Sequence, residues 1–147
     1  MADVPLVFYN QFIADLATGR LIDFDADQLA VALTNRAPAP NSDTIFDATT
    51  VPPPAAANGY PAGGNVLTLV SANTASGVFT LVLADSVFQA ASGGIGPFRY
   101  VVFYDKTAGN RLIGSYDYGL AVTLGYLEQF TVDFSDVNGV LTISVGP

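Results

Sequence analysis

The chain has no cysteine and no histidine among its 147 residues, and these two absences remove most familiar catalytic chemistry. Without cysteine there is no disulfide framework, no thiolate nucleophile and no thiolate zinc site, and the redox compartment is left unread. Without histidine a serine nucleophile has no imidazole base. Tryptophan is missing as well. Charge is scarce: Arg20, Arg36, Arg99, Lys106 and Arg111 are scattered among thirteen acidic residues, for a net charge of −8. That field repels phosphate backbones, so nucleic acid is not an expected partner. No apolar run reaches membrane-spanning length, and Met1-Ala2-Asp3-Val4-Pro5 lacks the basic start of a secretion signal. The expectation is a soluble protein with no membrane partner, no export signal, no cofactor and no metal.

What the chain does have is apolar surface. Half of its residues are hydrophobic, with seven Tyr and ten Phe, a composition that folds and that suits one domain spanning residues 1–147. So little charge leaves more apolar surface than one small domain readily hides, and a partner is expected to cover some of it.

Tyr9, Phe12, Ile13 and Leu16 follow helical spacing, with Asn10 as a start and Gly19-Arg20 as a stop. A helix of about ten residues is marginal alone, so it is expected to dock against a sheet. From Leu29 the period becomes two: Leu29, Val31 and Leu33 alternate with Ala30, Ala32 and Thr34. Asn35–Asn65 then holds most of the prolines, including Pro52-Pro53-Pro54, and reads as a long arm or loop rather than central sheet. Within it, Ser42–Thr49 has room for one helical turn capped by Ser42 or Asp43.

Strand signals return at Val66–Ser71 and Val78–Ala84, which flank a turn containing Asn73, Ser76 and Gly77. Phe98–Tyr104 is almost wholly apolar, as a strand buried on both faces would be. A turn through Asp105–Asn110 leads into Leu112–Tyr118. Phe130, Val132 and Phe134 alternate with polar residues, and Asp136-Val137-Asn138-Gly139 then feeds Leu141, Ile143 and Val145, which predicts a hairpin. Seven or so short strands with one helix read as an all-β antiparallel sandwich, a jelly roll being one arrangement of them.

Asp23, Asp25 and Asp27 have the opening rhythm of a calcium loop. Gln28 and Thr34 occupy the positions that need Gly and Glu, so a solvated turn with Phe24 and Ala26 pointing inward is expected instead. Gly59-Tyr60-Pro61-Ala62-Gly63-Gly64 lacks the lysine and the following helix of a phosphate loop and reads as a shaped turn. Carboxylate catalysis needs two facing acids, and Glu128 is the only Glu. Tyr100, Tyr104, Tyr116 and Tyr118 are candidate sugar platforms, but tyrosines at such positions more often fill a core or a subunit interface.

Several stretches together resemble one family. They are LVFYNQFIADLATG from Leu6, IDFDADQLAVALT from Ile22, NGYPAGG from Asn58, FRYVVFY from Phe98, LIGSYDYG from Leu112 and FTVDFSDVNGVLT from Phe130. Their order is similar to that in a group of small virion proteins of tailed bacteriophages. Asn35–Ala57 is more proline-rich than that pattern. The matching motifs are turns, alternations and glycines, and they carry over no catalytic residue. The resemblance implies a non-enzymatic structural protein made in the host cytoplasm and carried on the capsid exterior. Its implied role is decoration, cementing the major capsid protein and stabilising the head. A neck, tail or fibre position and a carbohydrate-binding receptor module are the alternatives.

In that setting the arm is expected either to fold back over its own sandwich or, as its stiff prolines favour, to reach a neighbour. The candidate interface residues are Ile45, Phe46, Val51, Tyr60, Tyr116 and Tyr118. A homodimer or homotrimer is expected from the apolar Phe98–Tyr104 strand and the tyrosines at 116 and 118.

Overall fold

The structure is a computed structural model that describes residues 4–19 and 21–144. Arg20 and Val145, expected at a helix stop and in a strand, lie outside them. The elements in chain order begin with β1 (Val7–Phe8), α1 (Asn10–Ala14), β2 (Leu29–Thr34) and β3 (Asn65–Val66). A hairpin of β4 (Leu69–Ala75) and β5 (Val78–Leu83) follows, then β6 (Ser86–Gln89) and the long strands β7 (Ile95–Asp105) and β8 (Arg111–Leu124). The last two strands are β9 (Gln129–Val132) and β10 (Leu141–Ser144). The fold is all-β and antiparallel, in three sheets ordered β1-β8-β7-β2-β3, β10-β5-β4 and β6-β9.

The alternation in β2 explains how the layers stack. Leu29, Val31 and Leu33 join Val101, Phe103 and Ile113 in the main core, which includes Leu81, Leu83, Phe88, Phe130 and Val132 from the two smaller sheets. The opposite face carries Ala30, Ala32, Val102, Tyr104 and Leu112. Small side chains there let another layer approach closely, and the proline-rich segment supplies it. Phe46 and Val51 pack on this face, with the Phe46 ring stacked 4.6 Å from Tyr104. Backbone bonds hold the segment down: Phe46 N donates to Asn110 O, and Leu112 N donates to Thr44 O. The arm therefore folds back over its own sheet. The prolines block ladder pairing, but they do not prevent burial of the side chains between them.

No helical turn capped by Ser42 or Asp43 forms within Ser42–Thr49; single i→i+4 backbone bonds close turns at Ala39–Asp43 and Asp47–Val51. Asp43 Oδ2 accepts from Ala39 N and pairs with Arg36, and Asp47 closes a turn by accepting from Thr49 N and Thr50 N. Those bonds hold the Asp47 carboxyl below its ordinary pKa. The glycine-rich segment ends the arm. Tyr60 Oη accepts the β2 amide of Leu33 at 3.0 Å, beyond the point where β3 stops pairing, and its ring stacks on Phe88. Burial pushes the Tyr60 phenol up to about 12.

The N-terminal helix is shorter than its spacing suggests. After Ala14 the chain widens into one π-turn over Asp15–Gly19, and Tyr9 rather than Asn10 stands at the cap. Tyr9 and Phe12 are buried, and Ile13 faces solvent. Asp15 is buried too, accepting from Gln11 Nε2 and lying 3.9 Å from Arg111 Nε at the start of β8.

The largest departure concerns the C-terminal strands. The expected hairpin across Asn138-Gly139 does not form: β9 pairs with β6, and β10 pairs with β5. The turn is real, with Gly139 N donating to Ser135 O, but it carries the chain from one sheet to another. Gly139 is wedged so that an added Cβ would stand 2.4 Å from Leu81 O. Ser76-Gly77, both at positive φ, does close a two-residue hairpin between β4 and β5.

Candidate protein-docking surface

Of the six residues singled out for an interface, four belong to the chain's own interior. Phe46, Val51, Tyr60 and Tyr116 are each less than a tenth exposed. Tyr116 leans on Phe134, and burial alone drives its phenol pKa upward. The physical reason is common to all four: the sheets need both faces covered, and the chain covers them itself. Only Ile45, bridged to Arg111, and Tyr118 keep substantial exposure. Phe98–Tyr104 runs through the centre of the five-stranded sheet, with Phe98, Val101, Val102, Phe103 and Tyr104 buried and only Arg99 and Tyr100 partly exposed.

Tyr118 opens a better-formed site. Opposite Arg99 the pairing of β7 with β8 jumps from Tyr100↔Asp117 to Phe98↔Val122, so residues 118–121 bulge out of the ladder. The bulge is stapled at its base. Arg99 Nε and Nη2 donate to Asp117 Oδ1 and Oδ2 at 2.8 and 3.0 Å, and Gly119 N donates to the same carboxylate. The guanidinium, with the Gly119 amide, holds Asp117 below its ordinary pKa. Gly119 takes φ +99°, a conformation that glycine adopts without strain. The Tyr118 ring sits edge-on to Phe130 at 5.1 Å, and Leu120 is 60% exposed.

The next turn presents two more apolar side chains. Glu128 accepts from Gly125 N at 2.6 Å, Leu127 N donates to Ala90 O, and Gln89 Nε2 donates to Leu127 O. This frame holds Leu127 at φ +65°, a left-handed backbone that costs a non-glycine residue about 1 kcal/mol or more. Tyr126 and Leu127 are nevertheless exposed, at 67% and 56%. The bulge meets β9 through Phe130, and the turn, which leads into β9, is bonded to the end of β6 through Gln89 and Ala90. Two hydrogen-bonded features thus present exposed apolar side chains, Tyr118 and Leu120 on the bulge and Tyr126 and Leu127 on the turn, together called the ledge. Sequence reasoning found only Tyr118 of these. The available signal was Gly119 and Gly125 breaking the alternation around exposed apolar residues.

The acidic residues are occupied structurally. Asp23 Oδ1 accepts from Asp25 N and Ala26 N, and Asp27 Oδ2 accepts from Asp23 N, which gives the self-closed turn expected there. Phe24 points inward as expected, but Ala26 is exposed because it stands at the turn's tip. The Asp27 carboxyl reaches Asp105, which is fully buried at the end of β7. Asp105 Oδ1 accepts from Ala108 N, and Oδ2 has no N–H or O–H donor. Burial and the adjacent carboxyl raise the Asp105 pKa to about 7. No group of three or more Asp or Glu among the described residues is arranged to hold a metal ion.

A cavity of about 100 Å³ lies between Leu6, Tyr116, Phe134 and Val140, too small for most organic ligands. Two of the four candidate sugar platforms, Tyr104 and Tyr116, are buried, and Tyr100 is half-buried beside Arg99. In comparisons with known proteins, no family model, no curated protein and no solved structure matches the chain.

Proposed function

We propose that the protein is a non-catalytic virion component, a decoration protein that binds the major capsid protein on the outside of a bacteriophage head. The resemblance of its ordered motifs to small phage virion proteins supplies the setting. The observation that supports a binding role is the ledge at Tyr118, Leu120, Tyr126 and Leu127. A fold that holds a leucine in a left-handed turn and leaves it in solvent gains nothing for its own core. Aromatic and aliphatic anchors of this kind carry most of the energy in protein interfaces.

Two substitutions test the role. Leu120→Asp and Tyr126→Asp are at exposed positions, so each variant should fold and melt within a few degrees of the parent chain. Each should weaken binding to heads assembled without the protein by about tenfold or more, read by co-sedimentation. Undiminished binding by both variants would remove the ledge from the interface. Copy number separates the head from the alternatives: hundreds per particle mark the capsid, and a dozen or fewer mark a neck, tail or fibre.

A further inference from the structure

We propose that the open edge of the three-stranded sheet is a self-association site, at which β4 pairs antiparallel with β4 of a second copy across a twofold axis. This rests on the sheet alone and does not depend on the virion reading.

Three observations converge on β4. It is an edge strand of seven residues that pairs only with β5 among the described strands, so its other side presents backbone N–H and C=O groups. Natural edges of this length are usually blunted by lysine, proline or inward-pointing charge. Leu69-Val70-Ser71-Ala72-Asn73-Thr74-Ala75 has none of these. One bulge interrupts it at Val70, and Ser71–Ala75 then run in unbroken register with Val82–Val78.

The second observation is charge. No charged residue falls between Asp47 and Asp85, and none lies in β4, β5 or β10. The whole three-stranded sheet is therefore neutral in a protein of net charge −8. A basic partner would be drawn to the acidic turns elsewhere. Two copies of an acidic chain repel over most of their surfaces, and a neutral edge is where they approach without opposed like charges. Screening within about 10 Å at ordinary salt makes the local charges decisive.

The third observation is fit. The outward row of the sheet is Thr142, Thr80 and Asn73, followed by Ser144, Val78 and Ala75. A twofold axis at Asn73 sets Asn73 opposite its own counterpart and Ser71 opposite Ala75, all small enough to pair without clash. Val70, 61% exposed, then meets the hairpin end of the second copy. The two sheets become one of six strands, and twofold pairing closes on itself without growing filaments.

The test uses the charge at position 73. Sedimentation velocity of the full chain, loaded from about 1 to 100 µM, should show a concentration-dependent shift from monomer to dimer. Asn73→Lys and Asn73→Asp each place like charges opposite one another and should weaken the dimer about tenfold or more. An equimolar mixture of the two variants should recover it, because lysine then faces aspartate. A parent chain that stays monomeric throughout would overturn the proposal. So would dimers that persist in both variants, or a mixture that remains as monomeric as its components.

Discussion

Gly64→Ala should unfold the protein or bring it close to unfolding, with a loss on the order of 4 kcal/mol or more. Two costs act together at this position. The backbone takes φ +83°, where any L side chain is strained by about 1–2 kcal/mol. The added Cβ would also stand 2.0 Å from Val31 O and 2.7 Å from Ala32 Cα, so β2 itself must move. Moving it breaks the pairing of Ala30 with Val66 and Val31 with Asn65, and disturbs the alanine face on which Phe46 and Val51 pack. Small domains have about 5–15 kcal/mol in total, so the loss is a large fraction. Gly109→Ala is the matched control. Its φ of +66° is also left-handed, but a Cβ there meets nothing within 4 Å. It should cost only the backbone term, about 1 kcal/mol. Urea titration of both variants measures the difference. Equal, small losses would mean that the glycine turn does not lock the arm against β2.

Stability should fall as the pH rises from about 5 to 8, with Asp105 as the cause. Its folded pKa of about 7 lies above the usual carboxylate value near 4, so between those values the folded state holds a proton that the unfolded chain releases. The stabilisation from this group is complete below the unfolded pKa and is lost as the pH rises through the folded one. From pH 5 to 8 the loss is about 2–3 kcal/mol. Asp47 and Asp117, with depressed pKa values, act in the opposite sense. Their stabilisation is present above the unfolded value and lost as the pH falls through the folded one, and both are surface groups with small effects.

Asp105→Asn supplies a permanent donor toward Asp27 and keeps an oxygen for Ala108 N. It should flatten the pH dependence and leave the variant more stable than the parent at pH 8. Thermal melts across this range check both points, and a variant less stable than the parent at pH 8 would contradict the account. Calcium or EDTA should leave the parent's melt unchanged. A shift of many degrees would show that the two carboxyls hold a cation instead of a proton.

Much of the strand pattern was legible because local signals reported it. Ser76-Gly77 marks the turn between two strands, although Asn73, read as part of that turn, lies inside β4, and the nearly all-apolar run at Phe98–Tyr104 marks a central strand. The Leu-Ala alternation in β2 even shows two unlike faces. What a local signal cannot carry is pairing across long stretches of chain. Asn138-Gly139 turns the chain, yet nothing near it says that β9 belongs with β6, some forty residues earlier. Ser86–Gln89 was invisible as a strand because four residues show too little alternation. The path of the arm is illegible for a related reason. Proline rules out ladder bonds, but whether Phe46 and Val51 meet a neighbour or the chain's own alanine face depends on the sheet beneath them. The ledge is illegible in the sequence because its residues are made prominent by a register jump and a left-handed turn, neither visible as periodicity.

The central claim is that this chain is a bound, repeated part of a phage head, and a cryo-electron microscopy map of the purified particle tests it most directly. The account predicts hundreds of copies on the outer capsid surface, each with Tyr118, Leu120, Tyr126 and Leu127 against the major capsid protein. A particle that carries the chain in a dozen copies or fewer, or in none, would contradict it.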